Sequence, residues 1–270
     1  MKIGFIGDIV GKPARDIIGK NLKRLREEYS LDIVIANYEN ASHGFGLTQK
    51  NCIELLGYGI DIMSGGNHSF DKKEILTLFD KYPLIRPINY PKEAEGSGIY
   101  ITTLSDHKVA IINLMGYYTM PMVDNPFTKI LEVVEELESR GIKHIIIDMH
   151  AEATAEKQAL LYMLRDRVSA ILGTHTHIGT DDLQINMGCC YVTDVGMTGC
   201  RDNIIGMSSD IPIERFLKGI GGHLDIPKNC QSYLQMIVFE LDSDGRCTDA
   251  QKIKLLDDSR KIVTKALIEV

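Results

Sequence analysis

The chain has no surplus of basic residues, no apolar run of membrane-spanning length and no C-x-x-C pair. Each absence removes a class of protein. Lys and Arg number 30 against 37 Asp and Glu, so the formal net charge is -7 and the pI about 5.6. Proteins that coat nucleic acid do so by neutralising many phosphates with Lys and Arg, and that role is excluded as the main one. A small phosphate-bearing substrate is not excluded, because bound cations can make a positive pocket inside an acidic protein. The opening MKIGFIGDIVGK meets Gly, Asp and Lys too soon for the apolar stretch of a signal peptide, and nothing later could span a bilayer. The cysteines (Cys52, Cys189, Cys190, Cys200, Cys230 and Cys247) could pair as three disulfides. A 270-residue chain with a full core needs no such staples, so reduced thiols in a cytoplasmic enzyme are expected.

What is present is the balance of an ordinary globular protein, with 44% hydrophobic and 25% charged residues. Short Ile/Val-rich runs alternate with segments of helical period, which predicts α/β architecture and largely parallel strands. Strands are expected over 2–7, 32–36, 60–64, 109–114, 144–149 and 168–172. Ala14, Ile17, Ile18, Leu22 and Leu25 share one helical face, and Phe127, Ile130, Leu131, Val134 and Leu137 share another. After about Leu183 the texture changes to strands joined by turns, over 191–195, 233–241 and 252–256. The stretches 115–126 and 206–228 read as loops. With no linker, repeat or low-complexity tract, residues 1–270 are expected to form one domain whose sheet becomes mixed toward the C-terminus.

The unusual polar residues fall at the ends of predicted strands. Gly7-Asp8, Asn37-Tyr38-Glu39-Asn40, Gly65-Gly66-Asn67-His68, Asp148-Met149-His150 and Gly173-Thr174-His175-Thr176-His177 each follow one. The carboxyl ends of parallel strands in an open sheet share an edge where ligands bind. Five segments would thus bring Asp8, Glu39, Asn40, Asn67, His68, His150, His175 and His177 to one rim. A carboxylate can bridge two cations, an Asn oxygen adds a neutral ligand, and imidazoles complete the shells. Nitrogen and oxygen donors without thiolate suit Mn, Fe or Zn better than Ca or Mg. Two such ions roughly 3.5–4 Å apart can activate water and clamp a phosphoryl group during in-line displacement. Gly7, Gly65, Gly66 and Gly173 would let the backbone turn sharply and approach a phosphate.

Taken singly these residues have plainer readings. Asp8 could cap a helix, although it lies several residues before the one that follows Pro13. Glu39 and Asn40 could be loop residues, Asn67 a cap, and His150 a hydrogen-bonded strand-end histidine. His175-Thr176-His177 resists this treatment, since alternate positions can face one site. His43, His107, His144 and His223 lack such a setting and read as structural or surface residues.

Other chemistries fail on detail. GDIVGK lacks the first Gly of a P-loop and has Pro13 where Ser or Thr is required. His150-Ala151-Glu152 matches half of a zinc-deaminase motif, with no P-C-x-x-C to follow. No G-x-G-x-x-G, H-E-x-x-H or G-x-S-x-G occurs.

With those residues in hand, the chain resembles the calcineurin-like metallophosphoesterases, and more closely their bacterial YmdB family. The resemblance rests on GDIVGKPAR, NYENASHGFGLT, GGNHSFD, DMHAEATAEK, GTHTHIGTDD and YVTDVGMTG, and covers nearly the whole sequence. It implies a layered sandwich of central mixed β-sheets flanked by helices, and a dinuclear site. Asp8, Glu39, Asn40 and His177 would hold one metal. Glu39 would bridge to a second, held also by Asn67, His150 and His175, and His68 would be the catalytic histidine. Two departures from the wider superfamily stand out: its D-x-H opening reads Asp8-Ile9-Val10 here, and Glu39 replaces the bridging Asp, with Asn40 filling the place of the missing histidine.

The resemblance implies a phosphodiesterase in which a metal-held hydroxide attacks phosphorus and His68 assists the leaving oxygen, with 2′,3′-cyclic nucleotides as substrate and Fe, Mn or Zn as cofactor. A phosphomonoesterase or RNase of the same fold is the rival within that chemistry. From another class comes a regulator that binds metal and nucleotide without turnover. No membrane partner is expected, and the oligomeric state is open.

Overall fold

A computed structural model describes residues 1–269. In chain order its first half comprises β1 (Lys2–Ile6), α1 (Gly11–Tyr29), β2 (Ile33–Asn37), α2 (Gln49–Gly57), β3 (Ile62–Ser64), β4 (Leu84–Ile85), β5 (Ile99–Leu104), β6 (His107–Met115) and α3 (Pro126–Ser139). The second half comprises β7 (His144–His150), α4 (Thr154–Leu164), β8 (Ala170–Thr174), β9 (Gln184–Asn186), β10 (Cys189–Val192), β11 (Gly199–Cys200), α5 (Asp210–Lys218), β12 (Ser232–Leu241), β13 (Cys247–Leu256), β14 (Lys261–Lys265) and β15 (Leu267–Glu269).

These strands form two sheets. Sheet one runs β14-β13-β12-β1-β2-β3-β4, with β11 beside β12; sheet two runs β15-β9-β10-β8-β7-β6-β5. The single sheet read from the sequence is therefore corrected to the two mixed sheets that the family resemblance implies. The reason is that β12 pairs antiparallel with β1, carrying the C-terminal strands back to the N-terminal sheet and leaving β6, β7, β8 and β10 to build a second parallel core.

Four layers follow from which face each residue buries. Ile3 and Phe5 of β1 point between the sheets with Ile33, Ile35, Ile111, Ile146 and Leu172, while Ile6 points outward against Ile17, Ile18 and Leu22 of α1. On the far side Ile112, Ile145 and Ile147 pack under Ile130 and Val134 of α3 and Leu160 and Leu164 of α4. Strands covered on both faces read as continuous apolar runs, which is why their centres were legible. Each fully buried side chain of this kind stabilises the fold by about 1.5–3 kcal/mol.

Helix ends follow local chemistry. Thr48 caps α2 by accepting from Asn51 N, Asn125 caps α3 with Pro126 in the first turn, and Ser30 closes α1 in the left-handed conformation. The segment 206–228, expected as loop, contains α5. Its Ile213, Phe216 and Leu217 stand at helical spacing on an exposed face, a stripe that the reading of this segment as loop passed over. Cys200 and Cys230 form a disulfide, contrary to the expectation of six reduced thiols. The pairing of β11 with β12 brings their Cα atoms to 5.6 Å, within bridging range. The other four cysteines are free and buried. No helix among the described residues is long and apolar enough to cross a membrane.

Candidate metal centre

The five polar strand ends meet where the two sheets face each other. Asp8 follows β1, Glu39 and Asn40 follow β2, and Asn67 and His68 follow β3, all on sheet one. His150 ends β7, and His175 and His177 follow β8, on sheet two. The shared rim is thus a seam between two sheets and not one sheet edge.

At its centre is the fully buried His150. Its Nε2 lies 2.9 Å from Asn67 Oδ1, 3.1 Å from Glu39 Oε1 and 3.1 Å from His175 Nδ1. One ring nitrogen carries at most one proton, so it cannot satisfy two oxygen acceptors and a second imidazole together. A cation accepts all of these lone pairs, and nitrogen with oxygen donors is the set that transition metals take. Among the described residues, the His, Cys, Asp and Glu side chains that gather closely enough to share a metal are Glu39, His150 and His175, whose ligand atoms all lie within 4.8 Å of one another.

Beside this group, His177 Nε2 lies 3.2 Å from Asn40 Oδ1, and its Nδ1 bonds the Ile205 carbonyl at 2.8 Å. Asp8 Oδ2 accepts from His175 N at 3.2 Å, while Asp8 Oδ1, fully buried, has no hydrogen-bond partner, the His150 Nδ1 standing 3.9 Å away. An orphaned carboxylate oxygen is costly unless something positive meets it. The residues present therefore fit a metal centre: Glu39, Asn67 and His175 gather on His150, Asp8 bonds the His175 backbone, and Asn40 and His177 pair beside them.

His68 stands apart from these donor atoms. Its backbone N–H donates to Glu39 Oε2 at 3.1 Å, its Nδ1 lies 2.8 Å from Asp71 Oδ2, and Phe45 packs edge-on at 4.9 Å. Its Nε2 has no hydrogen-bond partner among the described residues, so that edge is free for a ligand.

Charges across the seam tune one another. Burial alone would raise the Glu39 carboxyl, but the charge and hydrogen bond of His150 outweigh it and hold Glu39 at about 2. Burial disfavours the His150 imidazolium, yet Glu39, Asp8 and Asp148 raise it to about 9. Burial, then the His150 charge, push His175 down to about 3. Asp8 rises to about 6, chiefly by burial.

The glycines serve a purpose other than turning the chain. None of Gly7, Gly65, Gly66 and Gly173 has positive φ. A Cβ on Gly66 would overlap Glu39 Oε2 and His150 Nε2, so its hydrogen is what lets the two sheets' donors meet. The left-handed positions belong instead to His175 (φ 101°) and His177 (φ 67°). Their loop is held from behind by the buried Lys157, which donates to Thr174 O at 2.8 Å and Asp194 Oδ2 at 2.9 Å; the same carboxylate takes Thr176 N. Val10, two residues after Asp8, packs with Met197, Met207 and Tyr233 in an apolar cluster.

Sequence reasoning missed Lys157, Asp194 and Asp148. The first two are far apart in the chain and carry no local signal. Asp148 had one, because it lies two residues before His150 on the same strand and so on the same face.

A two-sheet sandwich with candidate metal donors gathered at the seam is a metallophosphoesterase-like fold. A family model described as YmdB-like protein matches residues 5–253, and the chain belongs to that family. The 2′,3′-cyclic-nucleotide 2′-phosphodiesterase of Bacillus subtilis (strain 168) is 40% identical over 261 residues, 96% of this chain and 98% of that protein. The crystal structure of a novel phosphatase from Mycoplasma pneumoniae superposes with a TM-score of 0.90 at 33% identity, over 95% of this chain and 93% of that one. A 5′-nucleotidase precursor from Thermus thermophilus shares the fold alone, with a TM-score of 0.56 at 11% identity over 95% of this chain and 54% of that one.

Proposed function

We propose that this phosphoesterase hydrolyses phosphodiesters, with 2′,3′-cyclic nucleotides as its substrate class and two transition-metal ions, Fe, Mn or Zn, as cofactor. The observation that carries the reading is the convergence of Glu39, Asn67 and His175 on one nitrogen of His150, beside the orphaned oxygen of Asp8. Its similarity to the Bacillus cyclic-nucleotide phosphodiesterase supports the substrate class.

Two cations at the seam would supply an activated water and neutralise charge developing on the phosphoryl oxygens. The chain's own residues do the rest. Glu39 is central to both groups of donors, and through the His68 N–H it also sets where His68 begins. Asp71 fixes the His68 ring through Nδ1, leaving Nε2 to face the substrate's leaving oxygen. As imidazolium, His68 gives its Nε2 proton to that oxygen as its P–O bond breaks; hydroxide, formed when water releases a proton to solvent, supplies the new P–O bond and its remaining proton stays on the phosphate. The cyclic diester becomes a nucleoside monophosphate.

The test is turnover of 2′,3′-cyclic AMP by protein of measured metal content, beside Glu39→Gln. Turnover that rises with metal and vanishes in the variant supports the proposal. No turnover with two ions bound per chain would sink the cyclic-diester reading, and release of inorganic phosphate from monoesters would replace it with a phosphomonoesterase.

A further inference from the structure

Below the donors lies a buried carboxylate that touches no substrate and belongs to neither proposed ligand group. Asp148 is fully buried near the end of β7. Its Oδ1 accepts from Thr174 Oγ1 at 2.6 Å, and its Oδ2 accepts from Ser64 Oγ at 2.5 Å and Asn37 Nδ2 at 2.9 Å. Ser64 ends β3 and Asn37 ends β2, both on sheet one; Thr174 ends β8 on sheet two. One side chain therefore joins four strand ends across the seam, directly beneath the segments that carry Glu39, Asn67, His150 and His175. Asn37 extends the link, since its Oδ1 accepts from Glu39 N at 3.0 Å.

Thr174 Oγ1 also lies 2.9 Å from His150 Nδ1. A threonine hydroxyl has one hydrogen, and an ionised carboxylate is acceptor-only; burial raises the Asp148 carboxyl, against which the His150 charge and the Ser64, Thr174 and Asn37 hydrogen bonds favour the ionised form. With that hydrogen given to Asp148, the Thr174 oxygen can only accept from the His150 ring. Nδ1 must then keep its proton in either state of the ring, so Nε2 is the nitrogen that gives up its proton and turns a lone pair toward Glu39, Asn67 and His175 when a metal is taken up. Metal-held histidines are commonly set in this way by a carboxylate behind them; here a hydroxyl stands between the two.

We infer that Asp148 and Thr174 are positioning residues: a carboxylate–hydroxyl relay that fixes the His150 tautomer and rotation for metal uptake and locks the two sheets in register. This inference rests on the metal-dependent reading above.

The experiment uses the full chain as wild type, Thr174→Val and Thr174→Ser, because Asp148→Asn would disturb the packing of the whole seam. Val keeps the shape and removes the hydroxyl, whereas Ser restores it. Mn²⁺ affinity is measured by titration calorimetry, and the ¹⁵N shifts of the His150 ring are read in the Zn²⁺-loaded protein. Thr174→Val should bind Mn²⁺ roughly 10–100-fold more weakly, and Thr174→Ser should recover most of that loss. Wild type and Thr174→Ser should show a protonated Nδ1 and a metal-shifted Nε2, a pattern lost in Thr174→Val. Wild-type affinity and ring shifts in Thr174→Val would overturn the relay, as would equal weakening in both variants. A wild-type chain that takes up neither ion would overturn the metal reading and the relay with it, an outcome distinct from a loss confined to Thr174→Val.

Discussion

The two sides of the seam supply different chemistry by different backbone means. Sheet one delivers oxygen through Asp8, Glu39, Asn40 and Asn67, all without positive φ. Its turns are stitched together by backbone bonds, Ile9 N to Asn37 O and Gly11 N to Asn40 O, each at 2.9 Å. Sheet two delivers nitrogen through His150, His175 and His177, two of them left-handed. Such a conformation costs of order 1–3 kcal/mol per residue and persists only where its surroundings enforce it. The buried Lys157–Asp194 pair is that enforcement. The lesson is that carboxylates must be brought close against their own repulsion, which compact turns and burial achieve. Imidazoles must be aimed, and a strained loop aims them.

The largest expected effect comes from closing the gap between the two sides. Gly66→Ala places a methyl where Glu39 Oε2 and His150 Nε2 meet. Overpacking of this sort costs typically about 1–3 kcal/mol. We expect a folded protein of lower thermal midpoint that fails to retain metal and has no measurable turnover. Metal content by mass spectrometry, with circular dichroism on the same sample, checks it; full metal occupancy would mean the seam yields more easily than its packing implies.

His68 sharpens the comparison because it is the imidazole that sheet one brings to the rim. If nitrogen alone made a ligand, His68→Ala should lose metal. Its ring instead bonds Asp71 and stands outside the donor group. The variant should keep its metal and lose roughly 10²–10⁴-fold in kcat, the usual worth of a positioned acid. Steady-state kinetics on metal-replete protein decides it, and unchanged kcat would remove His68 from the mechanism.

Much of this seam was legible because strands buried on both faces are apolar through their centres, so the polar residues that follow, Asp8, Glu39, Asn67, His150 and His175, stand out as interruptions. Other features were hidden for identifiable reasons. Nothing local says that β12 returns to β1, so the second sheet could not be read from periodicity. The buried face of α4 includes Glu156 and Lys157, which blur its apolar stripe. The Cys200–Cys230 bond depends on the β11–β12 register, and the role of Gly66 depends on side chains from two sheets. Each of these is a tertiary fact with no short-range trace.

The finest test concerns how the oxygen side charges the nitrogen side. In the metal-free chain, burial works against the His150 imidazolium, but Glu39, Asp8 and Asp148 overcome it and lift the ring to about 9. The proton occupies the electrostatic place of a cation. His175, held down near 3 by burial and by that same charge, is already neutral at pH 7. A folded value above the ordinary 6.5 means that this pairing stabilises the metal-free fold fully below pH 6.5, and that the contribution is lost as pH climbs through about 9. Metal binding requires the neutral ring, so the signs oppose: apparent affinity should climb with pH, up to about tenfold per unit, and level off beyond 9. Near pH 7 uptake should release about one proton from His150. Calorimetric titration with Mn²⁺ in buffers of different ionisation enthalpy measures that number directly. Zero release at pH 7 would show that sheet one's carboxylates do not hold a proton on His150, and the two sides of the seam would then be electrostatically independent before metal arrives.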